Sequence, residues 1–378
     1  MRSAFTVLVI GNGPAALATA IELRRSARVE VRLTAARPAP AARHGDSLSP
    51  HGRTLLERLG AWCAAHPDEA LPCHAIRSQW GGGPARHLDY LTHPLGPAWH
   101  VDRARLDARL RARAAQLGVR FDLDAGSLQV DDGSSRWRCC DTHGPIAAHA
   151  IVDATGRASW LARRLGAIRM KHDRQVACFA HGTATRAGVE AVGLVESGPA
   201  GWCYSAPAPS GRWTVACFTD ADLLPRGPDG RPDWDRCIEP YAATRDRLEA
   251  NGVRLADPAF AAADSACLDR LAGTAWLTVG DAAMSYDPLS AHGLTVALQS
   301  GIDAAHAIVA QREGDSAALD RYAHRLGAGF ADYARERRHL YAAETRFSHL
   351  PYWHRRLTPA PASSPAAAPP FAPAGYGR

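Results

Sequence analysis

The sequence predicts an α/β fold in which a Rossmann-like dinucleotide-binding sheet is joined to a separate antiparallel β layer. Three observations carry this. A β-rich run, Thr6 to Ile10, flows through Gly11-Asn-Gly13-Pro-Ala-Ala16 into an alanine- and leucine-rich helix. A second run of the same kind, near Trp276, delivers Gly280-Asp281 late in the chain. Between them, from Arg174 to Asp220, short runs are punctuated by Gly and Pro, as in antiparallel sheets.

Taken in order, Thr6 to Ile10 is a continuous β-rich run, as expected for a strand buried on both faces. Ala15 to Arg25 follows as helix, and Val29 to Leu33 alternates as a second strand. Arg37 to Pro50 is a Pro- and Gly-marked loop. A helix is expected from Gly52 to Ala65, with Leu55, Leu56 and Leu59 on one face. Asp102 caps a helix that runs to Leu117 and stops at Gly118. Short strands follow at Val119 to Phe121 and Gln129-Val130, then a hairpin through Trp137 and Cys140. The antiparallel strands are Val176 to His181, Gly201 to Tyr204 and Trp213 to Thr219. A loop from Pro225 to Asp235 leads to a helix over Arg236 to Asn251, and helix returns from Ser316 to Thr345. The Ala/Pro-rich tail, residues 358–378, is expected to be disordered.

Composition narrows the classes. The chain has 378 residues, enough for one large or two modest domains, and 46% hydrophobic with 22% charged residues is ordinary for a globular protein. No window approaches the roughly 18 uncharged apolar residues of a spanning helix. Phe5 to Ile10 is one strand long and lacks a cleavage site, so a cytoplasmic location is expected. The net charge of +6 rests on arginine, because Lys171 is the only lysine. No basic run is interleaved with aromatics, which argues against a nucleic-acid partner. The nine cysteines are scattered without metal-ligand spacing, so no metal is expected and buried free thiols are the simpler reading.

Three motifs carry chemistry. In the first, Gly11 permits a tight turn, Gly13 lets the backbone approach a pyrophosphate, and the helix opened by Pro14, Ala15 and Ala16 turns its positive end to that anion. Alanine stands at the third fingerprint position. The acidic residue expected about 20 positions on is missing. Leu33-Thr34-Ala35-Ala36-Arg37 stands there, where Thr34 can bond a ribose hydroxyl and Arg37 suits a phosphate. The second motif is Val152-Asp153-Ala154-Thr155-Gly156-Arg157, a strand ending in a turn. The third pairs Gly280-Asp281 with Asp287-Pro288-Leu289-Ser290-Ala291-His292-Gly293-Leu294. There a Pro-containing turn opens a helix whose free N–H groups face a ligand and stabilise negative charge.

With these motifs the chain resembles the FAD-dependent monooxygenase superfamily, which holds p-hydroxybenzoate hydroxylase-like enzymes and flavin-dependent halogenases. Within it, the chain is most similar to flavoproteins that mature cysteine tryptophylquinone. Gly45-Asp46-Ser47-Leu48-Ser49-Pro50 is similar to the family's Gly-Glu-Ser-Leu-x-Pro loop, and Trp99-His100-Val101-Asp102-Arg103 to its His-Val-x-Arg segment. Gly201-Trp202-Cys203-Tyr204-Ser205-Ala206-Pro207 resembles the substrate-domain strand. The resemblance implies a two-dinucleotide-binding-domain flavoprotein: residues 1–75, 98–168 and 270–345 forming the FAD domain, and 76–97 with 169–269 the substrate domain. It implies Arg103 at the FAD ribose or pyrophosphate, Asp281 at the ribityl or phosphate region, and Pro288 to Gly293 along the flavin ring. The other expected FAD contacts are Ser47, Gly156, Gly280 and Leu294.

The implied activity is hydroxylation of an electron-rich indole or phenol, either a small molecule or a tryptophan of a partner protein. FAD would be reduced by NAD(P)H or a separate reductase, with O2 as co-substrate. A halogenase of this superfamily would carry a lysine between flavin and substrate and a Trp-x-Trp-x-Ile-Pro signature. Ile76 to Gly81 has no lysine, and Lys171 follows the Asp-Ala-Thr-Gly segment instead. A non-catalytic FAD-binding partner protein is the third alternative. Trp80, Trp99, His100, Trp202 and Tyr204 are substrate-side candidates, although aromatics at such strand positions are as readily core. Pro288 and His292 are the catalytic candidates, with His292 as acid or base beside the ring or as a polar residue at a helix start.

Overall fold

The computed structural model describes residues 5–26, 29–34, 46–62, 68–90, 92–122, 129–132, 137–141, 144–186 and 190–358. Five sheets and nine α-helices occur among them. The tail beyond Thr358, Arg37 and Gly45 lie outside the described residues.

The dinucleotide-type sheet has six strands, in the order Ala272–Gly273, Trp276–Thr278, Ala150–Asp153, Thr6–Ile10, Glu30–Thr34 and Arg120–Asp122. All pairs except the first are parallel. Every residue of Thr6–Ile10 is buried, as expected of a β-rich run at the centre of a parallel sheet. Helices Pro14–Ser26 and Gly293–Arg312 cross so closely that a Cβ on Gly301 would lie 2.6 Å from the Ala15 carbonyl oxygen. Glycine at that crossing lets the two helices bring their N-termini to the same edge of the sheet.

The second large sheet runs Val253–Ala262, Gln175–Ala184, Arg212–Asp220, Gly201–Ala208, Val192–Gly198, Ala75–Gln79 and Arg86–Asp89. It is antiparallel except where Val192–Gly198 meets Ala75–Gln79. One side packs Cys178, Cys203, Cys217 and Cys237 into an apolar cluster as free thiols. A cluster containing Trp202, Tyr341, Tyr352 and Trp353 ties the sheet to the C-terminal helices.

Local boundaries follow local chemistry. Arg103–Gln116 is capped by Asp102, which accepts from the Arg105 N–H (3.1 Å), and Gly118 at φ 79° lies just beyond its end. The expected helix to Ala65 instead ends at Leu59, because Gly60 adopts a left-handed φ of 70° and its N–H turns back to Glu57 and Leu56. The single helix expected over 236–251 is two, Trp234–Ile238 and Ala242–Ala250, broken at Pro240, which has no N–H to continue the first. Helix Pro351–Leu357 escaped the sequence reading. It is fixed by tertiary contacts: the Trp353 indole donates to the Gly198 carbonyl (2.9 Å), and Arg356 pairs with buried Asp220 (2.9 Å).

Candidate functional site

Both helix N-termini and the inner face of the antiparallel sheet open onto one cavity of about 2260 Å³. At its dinucleotide end, Gly11 has φ 134°, and a Cβ there would lie 2.2 Å from the Ala154 carbonyl oxygen. The Gly11 N–H donates to the Thr34 carbonyl (2.7 Å), which fixes the turn at the sheet edge. Gly13 is the opposite case: an added Cβ would meet nothing within 4 Å among the described residues. The chain is crowded under the first glycine and open above the second, as a backbone cradle for a pyrophosphate must be.

From there the cavity wall passes Arg103, Asp107 and Arg111 on one helix, then Thr155, Gly156 and Arg157, and then Asp281. Arg103 is almost fully buried and donates to Asp107 (3.3 Å). Asp153 serves the turn and does not line the cavity. Its carboxylate accepts from the Thr155 N–H (3.0 Å), the Thr155 hydroxyl (2.7 Å) and the Ala162 N–H (2.9 Å), and burial pushes its pKa up. Arg157 donates to the Asp264 carbonyl (2.7 Å) and lies 3.6 Å from Asp281, so the Asp281 carboxylate is held beside a cation. Arg157 and Asp264 are 107 positions apart, and no sequence signal links them.

The turn Asp287 to Ala291 is held from behind. Asp287 is buried and accepts from the Leu289 N–H (3.0 Å), Arg337 Nε (2.9 Å) and the Tyr341 hydroxyl (2.8 Å), while its own N–H donates to Tyr333 (2.6 Å). Pro288, Leu289 and Ala291 then line the cavity beside Gly293 and Leu294, the first residues of a 20-residue helix. The first N–H groups of that helix have no partner within it.

The opposite wall is the sheet face. Ile76, Val195, Thr214, Ala216, Ala261 and Ala262 are small or short enough to leave room there. Trp202 is 1% exposed, stacks on Phe218 at 4.0 Å and donates to Tyr341 (3.1 Å), so it is a packed part of the wall. Ser47 Oγ and the Tyr204 hydroxyl are 2.6 Å apart, and both line the cavity. At the outer rim stand Arg163, Arg164, Ile168 and Lys171. Lys171 is therefore part of this cavity, contrary to its remote place in the sequence, but it is solvent-exposed and lies 3.5 Å from Asp264.

Residues 4–328 match the family described as FAD binding domain. The chain belongs to that family. This flavoprotein is 25% identical over 362 residues to LodB of Marinomonas mediterranea, named as an FAD-dependent oxidoreductase, with 93% of this chain and 96% of that one covered. Its structure is similar to QhpG, a peptidyl tryptophan dihydroxylase essential for tryptophylquinone cofactor biogenesis, with TM-score 0.74 and 26% identity over 94% of this chain and 79% of QhpG. The flavin-dependent halogenase CmlS shares the fold, with TM-score 0.82 and 20% identity over 95% and 68% of the two chains. The flavoprotein is an FAD-dependent oxidoreductase of the monooxygenase superfamily.

The cavity suits FAD on the chain's own geometry, since open space stands over Gly13 and the two helix N-termini bracket one continuous trough. Gly11, Gly13, Pro14, Ala15, Ser47, Arg103, Gly156, Asp281, Pro288, Gly293 and Leu294 line it together. Ala16, Thr34 and Gly280 do not. Ala16 and Thr34 are fully buried, and a Cβ on Gly280 would press on Ala15 at 2.8 Å, so these three shape the turns from below. His292 is exposed at the start of helix Gly293–Arg312, outside the lining. Trp80 also lies outside it: its indole donates to the Leu340 carbonyl (2.9 Å) and packs edge-on against Tyr341 and Trp353. Among the described residues no cluster of His, Cys, Asp or Glu suits a metal, and no helix is long and apolar enough to cross a membrane.

His100 is buried behind the Ser47–Tyr204 pair. Burial, with Arg247 nearby, pushes its pKa down from 6.5 to about 4. The folded protein then binds this proton less readily than the unfolded chain, so stability falls as pH drops from about 6.5 to about 4. The loss is up to about 3 kcal/mol at 1.36 kcal/mol per pKa unit. Urea unfolding at successive pH values should show that decline in the wild type and a shallower one in His100→Asn; parallel curves would refute it.

Proposed function

We propose that this flavoprotein hydroxylates an electron-rich aromatic ring, an indole or phenol, and that the ring is a tryptophan of a partner protein undergoing tryptophylquinone biogenesis. The observation that carries this is the size and openness of the cavity. A metabolite site encloses roughly 300–1,000 Å³. This one is about 2260 Å³ with the cofactor trough included, and its outer rim reaches solvent at Ile168 and Lys171, an open path by which a side chain presented on a polypeptide can enter beside FAD. The likeness to QhpG supports the same substrate class.

Bound FAD supplies the electrophilic oxygen, from a reductant and O2. The protein's part is positioning. Gly11 and Gly13 seat the cofactor, the helix opened at Gly293 offers N–H groups to negative charge on it, and the apolar sheet face holds the ring and excludes water. NAD(P)H or a separate reductase supplies the electrons.

The test is an absorbance spectrum of the purified, FAD-loaded protein, treated with NADH or NADPH under air and then with a tryptophan-containing peptide of the partner. Gain of one or two oxygen atoms by the peptide, read by mass spectrometry, is the expected result. Flavin bleaching without peptide oxidation would overturn the substrate assignment. A halogen added in the presence of bromide or chloride would instead favour the halogenase reading.

A further inference from the structure

Behind the sheet wall lies a void of about 10 Å³ bounded by Ser47, His100, Tyr204, Pro207 and Thr214, among others. His100 is 3% exposed, and its Nε2 has no hydrogen-bond partner among the described residues. A buried acceptor or donor left unsatisfied is destabilising, and a water that serves it removes that cost. A void of this size holds about one water, provided polar partners surround it. They do. Ser47 and His100 are directly opposed on adjacent antiparallel strands and so share one face of their sheet. Ser47 is in turn 2.6 Å from the Tyr204 hydroxyl, and Ser47, Tyr204 and Thr214 line both the void and the large cavity.

We propose that His100, one buried water, Ser47 and Tyr204 form a polarised hydrogen-bond chain whose outer end, the Tyr204 oxygen, accepts a hydrogen bond from the N–H or O–H of the aromatic substrate. The tautomer assigned to His100 is the one protonated at Nδ1, and that assignment sets the direction. A neutral imidazole protonated at Nδ1 can only accept at Nε2. The water donates to His100, Ser47 donates to the water, and Tyr204 donates to Ser47. The Tyr204 oxygen then turns a lone pair to the cavity. His100 stays neutral in its buried place, where the nearby cation is Arg247, itself engaged with the Ser205 and Val192 carbonyls. Thr214, on the rim of the void, has its hydroxyl within 3.3 Å of His181 Nδ1. His100 is thus a positioning residue, and the chain selects aromatics that carry a donor over their N- or O-methylated forms. This rests on the aromatic-substrate reading above.

The probes are N-acetyl-L-tryptophanamide and its 1-methylindole counterpart, titrated into the FAD-loaded protein while the flavin absorbance is followed. The wild type should bind the unmethylated probe about tenfold more tightly. Tyr204→Phe should abolish that preference and His100→Phe should reduce it to about twofold, while His100→Asn, which keeps an acceptor, should retain it. A preference unchanged in Tyr204→Phe and His100→Phe would be steric and would overturn the proposal. Equal binding of both probes by the wild type would overturn the chain but leave the aromatic reading intact. Binding of neither would remove both. If His100→Phe does not fold, a wild-type crystal structure decides: a water within hydrogen-bond distance of His100 Nε2 supports the chain, and an empty void overturns it.

Discussion

Gly11→Ala should unfold the FAD end of the molecule. The residue sits at φ 134°, and its new Cβ would lie 2.2 Å from the Ala154 carbonyl oxygen and 2.6 Å from the carbonyl carbon. Neither neighbour can yield cheaply. The Ala154 N–H is bonded to the Ile10 carbonyl (2.8 Å), so moving that peptide opens the parallel pair at the centre of the sheet. Backbone strain of this kind costs about 1–3 kcal/mol by itself, and the clash adds to it. A loss above about 3 kcal/mol in denaturant unfolding is expected, with no FAD retained on gel filtration. Gly13→Ala is the matched control: nothing lies within 4 Å of its Cβ, so stability should stay within about 0.5 kcal/mol of wild type. FAD affinity should nevertheless fall at least tenfold, because the methyl group occupies the approach of the pyrophosphate. Equal stability of the two variants would refute the account of the turn.

Asp287→Ala should destabilise the protein by about 3–5 kcal/mol, the range for breaking a buried charge pair from one side. Asp287 is 1% exposed and holds Arg337, the Tyr341 hydroxyl and the Leu289 N–H at once. Its loss leaves Arg337, itself largely buried, with Asp173 alone and frees the turn that carries Pro288 and Leu289 into the cavity. Urea unfolding of Asp287→Ala, Arg337→Met and the double variant measures the coupling. The double variant should be less destabilised than the sum of the two single changes by at least about 1 kcal/mol. Additive losses would mean that the two residues act independently. FAD affinity should fall in Asp287→Ala more than in Arg337→Met, since only the carboxylate caps the turn.

The same network explains why the C-terminal helix matters to a site far from it in sequence. Tyr341 bonds both Asp287 and Tyr352 (3.1 Å), and Tyr352 and Arg356 share Gln175 as acceptor. The loop that faces the cofactor is thus anchored through residues on two helices and one strand of the antiparallel sheet.

What the sequence by itself determined was everything set by neighbours in the chain. Thr6 to Ile10 is a continuous β-rich run, apolar from Val7 onward, and reads as a strand buried on both faces. Gly11 and Gly13 specify the turn after it, and Asp102 with Gly118 bounds a helix by capping chemistry. Three of the seven strands of the antiparallel sheet were legible at their centres; Ala75–Gln79, Arg86–Asp89, Val192–Gly198 and Val253–Ala262 were not. Local signals also misled where a single residue outranked the pattern, as Gly60 did by ending a helix that leucine spacing would have continued and Pro240 by dividing the helix expected over 236–251. Only tertiary structure decided which polar groups meet. Arg157 with Asp264, Asp287 with Arg337, and Ser47 with Tyr204 join positions separated by 50 to 157 residues, brought together by sheet order and helix crossing. Tertiary contact likewise assigned Trp80 to packing and His100 to the wall behind the cavity. Charge, hydrogen bonding and burial act through space, and a residue's own sequence neighbours do not encode the distance to its partner.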